Sequence, residues 1–176
     1  IGYTWALWDT NVIEVIEDGH ILSFSYKWLG DKTVKHVALP DFPLYKKDPK
    51  SDAELVSVLW DLFNEADIII AHNGDSYDQK YSNARFIANG LNPPEPYTQI
   101  DTLKMAKRAF RFTSNKLNEL GRYLELGQKE QTGGFATWKG CMAGDPKAWT
   151  KMKKYNNQDV VLLEDVYFEL LAWSGN

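Results

Sequence analysis

Tyr155 and Asp159 lie four residues apart in KKYNNQDVVLLEDVYFELL, where a long apolar helical pattern begins. One helical turn separates them, so both side chains leave the same face. The face continues through Leu162, Leu163, Val166 and Leu170 at core spacing. Asp159 is therefore expected at the rim of a buried stripe, where a carboxylate is costly unless something meets it. A metal ion is one answer; a capped helix or an Arg or Lys partner is another. The spacing alone leaves these open.

A second group of residues sits in ADIIIAHNGDSYDQKYSNARFIANG, which reads as strand, turn and helix. Ile68, Ile69 and Ile70 form a β-branched run bounded by Asp67 and Asn73-Gly74, as in a buried parallel strand. Ala84, Ile87 and Ala88 would give the following helix its apolar face. Open α/β sheets bind their ligands at the carboxyl ends of strands, and the turn delivers Asn73, Asp75 and Asp78 there. Asp75 fits plain turn or cap chemistry. Asp78, preceded by the aromatic Tyr77, fits it less well. His72, at the strand end, is read as structural.

Together these residues resemble a known family. Asn73-Gly-Asp-Ser-Tyr-Asp78 is similar to the second motif of the DEDD 3′→5′ exonucleases, and Tyr155-x-x-x-Asp159 to their third motif in its tyrosine form. Between them, Ile100-Asp101-Thr102-Leu103 and Asn115-Lys116-Leu117-x-x-Leu120 stand where that family often has an Asp-Thr-Leu strand end and a Lys-Leu-x-x-Leu helix. The whole string most resembles the YprB-like branch, found in bacteria and phages and related to the proofreading domains of family B DNA polymerases. The resemblance implies Asp78 and Asp159 as metal ligands, Tyr155 as the catalytic residue that orients water, and Asn73 and Lys116 as substrate contacts. It also implies Mg²⁺ or Mn²⁺ in a two-metal site and a single-stranded 3′ end as partner, DNA more than RNA. The products would be nucleoside 5′-monophosphates, and the place of action the cytoplasm of a bacterial or phage-infected cell.

That chemistry uses two divalent ions about 4 Å apart, and Mg²⁺ demands hard oxygen ligands. Asp78 and Asp159 could hold one ion but hardly two. The family's first pair comes as Asp-x-Glu on the first strand, and none of the N-terminal strands read here carries it. The preferred account is that the sequence starts after that strand. The rival makes Asp9-Thr10-Asn11 a degenerate first motif, with Asp9 as ligand and Asn11 in place of the Glu. A catalytically degenerate module of the same fold, holding nucleic acid or a protein partner, is the alternative function.

Length and composition fit one α/β domain spanning 1–176: 176 residues can enclose a real core, and 44% hydrophobic with 25% charged residues is ordinary for a globular chain. The net charge of −4 argues against tight nonspecific binding to duplex DNA. The single Cys141 allows no intrachain disulfide, and no apolar run approaches a membrane span. Strands are expected at Tyr3–Trp8, Val12–Ile16, His20–Leu29 and Thr33–Leu39, separated by turn signals. Ser51 or Asp52 would cap a helix with Leu55, Val58, Leu59, Leu62 and Phe63 inside. Helices are also expected at Thr102–Phe112 and Lys116–Leu124, a loop at Gln131–Trp138, and a final helix after Asp145-Pro146. The fold expected is ribonuclease-H-like: a mixed five-stranded sheet, an antiparallel meander then parallel strands, with helices on both faces. Lys104, Lys107, Arg108 and Arg111 would share one helical face, either phosphate-facing or simply solvated, and Arg85 would add to this basic character.

Overall fold

The computed structural model describes residues 2–3, 14–15, 19–127 and 134–173. Strands β1 (Gly2–Tyr3) and β2 (Glu14–Val15) pair antiparallel, as do β3 (Ser23–Tyr26) and β4 (Lys35–Ala38). Helix α1 (Ala53–Glu65) leads into β5 (Ile68–Ala71), and α2 (Asp78–Ala88) into β6 (Thr98–Asp101), which lies parallel to β5. Four helices complete the chain: α3 (Thr102–Ala109), α4 (Leu117–Tyr123), α5 (Phe135–Met142) and α6 (Pro146–Leu171). Among the described residues the strands form three separate two-stranded ladders rather than one five-stranded sheet. The expected strands Tyr3–Trp8 and Val12–Ile16 fall largely outside the described residues, and so does Asp9.

Helix α6 ties the β3–β4 hairpin to the rest through polar contacts. Ser23 and Ser25 share one face of β3 by the strand's two-residue period. Ser25 Oγ donates to Asn157 Oδ1 at 2.7 Å, and Asn156 Nδ2 donates to Ser23 Oγ at 3.0 Å. Lys27, two residues on, forms an ion pair with Glu164. The alternation of Ser23 and Ser25 with Phe24 and Tyr26 is real, but the serine face is the one that meets a helix.

The apolar stripe of α6 behaves as its spacing predicts. Leu162, Val166 and Leu170 are buried with Ala106 of α3 and Leu120 of α4. Gly121 lets α4 approach closely there: a Cβ at that position would stand 2.6 Å from Leu162 Cδ1 and push that side chain aside. The first half of α6 packs Ala148 and Met152 against Cys141 of α5. Burial and the Asp145 charge push the Cys141 thiol up to about 11, so it acts as a small apolar side chain. Asp145 caps α6, accepting from Lys147 N at 2.9 Å.

Three sequence expectations are corrected by packing. Helix α3 ends at Ala109, with Phe110 extended at φ −135°, ψ 160°. An extended chain puts Phe110 and Phe112 on one side, where their rings stack at 4.9 Å against the α6 core. Arg111 is thereby excluded from the basic helix face. On α2, Ser82 and Phe86 are buried while Ile87 is 77% exposed, the reverse of the Ala84–Ile87–Ala88 face expected. The reason is α1: Phe63 meets Phe86 edge to face at 5.4 Å, and Asp52 takes Arg85. Phe135 and Trp138 stand on α5 rather than in a loop, because Thr137 and Cys141, one turn apart, supply that helix with a buried face.

Asp52 sits at the N-cap of α1 but does not cap it. It is 1% exposed and receives Arg85 in a two-pronged pair, Nη2 to Oδ1 at 2.6 Å and Nε to Oδ2 at 2.9 Å. The Ile21 N–H donates to the same carboxylate at 2.8 Å. Burial alone would raise the Asp52 pKa, but the Arg85 hydrogen bonds and charge with the Ile21 N–H bring it below the ordinary range. Asp52-Ala53-Glu54 is an Asp-x-Glu string on a helix, and its carboxylates are structural: Glu54 Oε2 accepts from Leu44 N at 2.8 Å. Arg85, counted by sequence among the basic residues of this half, is thus committed inside the protein. Asp52→Ala should lower unfolding free energy by about 3–5 kcal/mol, because it strands a half-buried guanidinium. The double variant Asp52→Leu/Arg85→Met should recover much of that loss in urea titrations.

Candidate active site

The parallel pair β5–β6 is registered so that Ala71 lies opposite Asp101, and the two strands deliver their last residues side by side. His72 and Asn73 follow one strand, Thr102 and α3 the other. Asp101 is 5% exposed and joins the two exits. Its Oδ1 accepts Asn73 N at 2.8 Å and Leu103 N at 2.9 Å, so one oxygen closes the turn after β5 and caps α3. Asn73 is held at φ 64°, a left-handed conformation that asparagine tolerates. Gly74 must be glycine, since a Cβ would meet Ala71 Cβ at 2.5 Å and Gln99 Nε2 at 2.7 Å.

Asp78 opens α2 just beyond this turn. It lies on the surface, yet nearby protein mass desolvates its carboxyl and the Asp101 charge stands close. Both raise its pKa, the desolvation more. A helix N-terminus favours a carboxylate, so the direction of this shift shows that the acidic neighbour and desolvation prevail. Asp75, read from sequence as a turn residue, forms an ion pair with Lys104 of α3. The Lys104 side chain remains largely exposed in that pair.

His72 links the turn to the chain before α4. Its Nε2 lies 2.9 Å from the Asn115 carbonyl, which can only accept, so that nitrogen bears hydrogen. Its Nδ1 lies 2.9 Å from Thr102 Oγ1, which also reaches the Ala71 carbonyl at 3.3 Å. Burial lowers the His72 pKa; the Asn115 carbonyl and the charges of Asp101 and Asp159 oppose it without prevailing. The Asp159 charge thus acts on the imidazole that the Asp101 charge also reaches. The Asp101 charge thus reaches both Asp78 and His72, and the Asp159 charge reaches His72.

Tyr155 and Asp159 both lie on α6, half-buried, in the one-turn relation expected. Tyr155 packs beside the Cys141–Ala148–Met152 cluster, which fixes the start of the face bearing Asp159. Asn73 and Lys116 line one open recess of about 500 Å³ beside the strand ends. Asp101 as the organiser was missed by sequence reasoning, although an Asp ending a strand just before a helix is the visible signal of such a cap.

Among the described residues, no group of three or more His, Cys, Asp or Glu could hold a metal ion. A two-ion centre needs several convergent carboxylates, so the described donors do not by themselves fit one. Asp9, the alternative first-motif ligand, lies outside the described residues.

A family model described as the RNase_H superfamily matches residues 16–171. The chain belongs to the RNase_H superfamily. Membership accords with the mixed α/β architecture and makes nuclease chemistry the activity to examine at the acidic strand ends. No curated protein and no solved structure matches the chain. Among the described residues, no helix of this RNase_H-superfamily chain is long and apolar enough to cross a membrane.

His36 is lowered in the same direction as His72, by burial first and then by Lys153, with Asp41 opposing. Both histidines thus have folded pKa values below the ordinary value of about 6.5. Between the folded and unfolded values only the unfolded chain binds the proton, so stability is lost as pH falls through that window. The urea midpoint should be lower at about pH 5.5 than at about pH 7.5. His72→Gln, which can still donate to Asn115, should reduce the dependence; a flat wild-type profile would contradict the burial of both rings.

Proposed function

We propose that this chain is a metal-dependent 3′→5′ exonuclease acting on single-stranded nucleic acid, DNA in preference to RNA, and releasing nucleoside 5′-monophosphates. The observation that supports the reading best is Asp101 at the carboxyl end of β6 with Asp78 opening α2 just after the β5 turn, in a chain of the RNase_H superfamily. In α/β folds that is where ligands are bound. Asp78 and Asp159 are the metal ligands in this reading, with Mg²⁺ or Mn²⁺ supplying charge neutralisation and an activated water when bound. The reading needs further carboxylate ligands; Asp9, the alternative first-motif ligand, lies outside the described residues. Tyr155 orients the attacking water from the same face as Asp159. Asn73 and Lys116 contact the strand.

A second reading is favoured by the shortage of convergent donors among the described residues. It is a module of the same fold that holds nucleic acid without cutting it. A 5′-labelled single strand with Mg²⁺ or Mn²⁺ separates the two. The exonuclease gives a descending ladder, slowed roughly 100-fold or more by Asp159→Asn or Asp78→Asn. The binding module gives no ladder and an affinity that neither chelator nor Asp159→Asn changes.

A further inference from the structure

Helix α6 carries its charges the wrong way round for a helix standing alone. The macrodipole favours acidic side chains near the N-terminus and basic ones near the C-terminus. Beyond the Asp145 cap, α6 has no acidic residue in its first turn and no basic residue in its last. Lys147, Lys151, Lys153 and Lys154 crowd its first half instead, and Asp159, Glu164, Asp165 and Glu169 its second. Lys27 neutralises Glu164. Among the described residues, no ion pair takes Lys147, Lys151, Asp165 or Glu169. Lys147 with Lys151, and Asp165 with Glu169, are also like charges one turn apart, which is unfavourable within a helix.

Several of these charges share one face. Lys151, Lys154, Gln158, Val161, Asp165 and Phe168 recur at alternating intervals of three and four residues, which draws a single stripe along the helix. The stripe lies one residue, about 100°, round from the face of Tyr155, Asp159 and Leu162. Lys151, Lys154, Val161 and Phe168 are exposed; Gln158 and Asp165 are half-buried. The other faces of α6 meet α3, α4, α5 and the β3–β4 hairpin, so Val161 and Phe168 are large apolar side chains left in water.

Reversed end to end, the stripe is complementary to itself. Set two such helices antiparallel, with a two-fold axis between Gln158 and Val161. Lys154 then stands opposite the partner's Asp165. Lys151 stands opposite the partner's Phe168, where an ammonium can rest on the ring face, with the partner's Glu169 adjoining. The second macrodipole runs the other way, so lysines misplaced on their own helix lie beside the negative end of its neighbour. We propose that two copies of this chain pair through this stripe, α6 against α6 antiparallel, as a symmetric dimer. Tyr155 and Asp159 stay outside the interface, and each copy keeps its own site. The pairing goes beyond the nuclease reading and does not depend on it. One pair of helices is a small contact, so the dissociation constant is on the order of micromolar.

Sedimentation velocity of the full chain over a protein concentration series is the test. The mean mass should climb from that of one chain towards that of two, and the climb should weaken between about 50 mM and about 500 mM salt. Lys151→Glu/Lys154→Glu and Asp165→Lys/Glu169→Lys should each stay monomeric where the wild type pairs, since each gives the stripe one sign. An equimolar mixture of the two variants should form the mixed dimer about as tightly as the wild type forms its own. Both variants bring α6 into line with its own dipole, so lost pairing would not come from a weaker helix; unchanged far-ultraviolet circular dichroism checks this. A wild type that is monomeric throughout, a dimer that survives both charge reversals, or a mixture that fails to pair would each overturn the proposal. A monomeric wild type whose affinity for a thymidylate strand falls about 10-fold in Lys151→Glu/Lys154→Glu would overturn it too, and give the lysines to nucleic acid.

Discussion

One carboxylate oxygen sets the geometry on which the site depends. Asp101 Oδ1 takes the Asn73 and Leu103 N–H groups together, binding the exit of β5 to the entry of α3. Without that acceptor, two backbone donors would lose their partner beside a residue held at positive φ. Everything at this end of the molecule is placed relative to the junction. Asn73 is at the turn, Asp78 opens the next helix, and His72 spans from Thr102 to Asn115. The same carboxylate imposes its charge on Asp78 and His72, so its structural and electrostatic effects arise together.

The second constraint is the long helix α6. Its terminal half is anchored by Leu162, Val166 and Leu170 in an apolar core, and its first half by Ala148 and Met152 against α5. Between these anchors the helix is polar toward β3, with Asn156 and Asn157 meeting Ser23 and Ser25. Asp159 stands where those regimes meet. Directional hydrogen bonds to a strand restrict rotation of the helix more tightly than apolar contact does, because a rotated helix would leave buried polar groups unmatched. That restriction fixes the rotation of the helix segment that carries Asp159.

What was legible in the sequence follows from the range of the interactions responsible. Helix α6, its Asp145 cap, its Leu162–Val166–Leu170 stripe and the Tyr155–Asp159 relation are local, and periodicity reveals them. The β5 strand and the turn delivering Asn73 and Asp78 are also local. The orientation of α2 was not legible, because the bond between Arg85 and Asp52 spans the chain from one helix to another and overrides the Ala84–Ile87–Ala88 pattern. The end of α3 was missed because Phe110 and Phe112 gain more from stacking in the α6 core than from extending the helix. Lys104 and Arg85 looked like members of a basic surface, since sequence shows charge but not the partner that neutralises it. Lys107 and Lys116 retain that character after folding. The five-stranded sheet is not confirmed among the described residues, where the strands form three ladders, because strand signals in the first forty residues do not specify which ladders join.

The central claim is that Asp78 and Asp101 belong to one acidic site organised at the ends of β5 and β6. Carboxyl ¹³C titration of Asp78 by NMR, in the wild-type chain and in Asp101→Asn, tests it directly. The asparagine keeps an oxygen for the Asn73 and Leu103 N–H groups while removing the charge. The account predicts that Asp78 titrates above the ordinary aspartate range in the wild type, and lower in the variant, with the remaining elevation due to desolvation. An Asp78 that titrates at or below the ordinary range, and does not respond to Asp101→Asn, would contradict it.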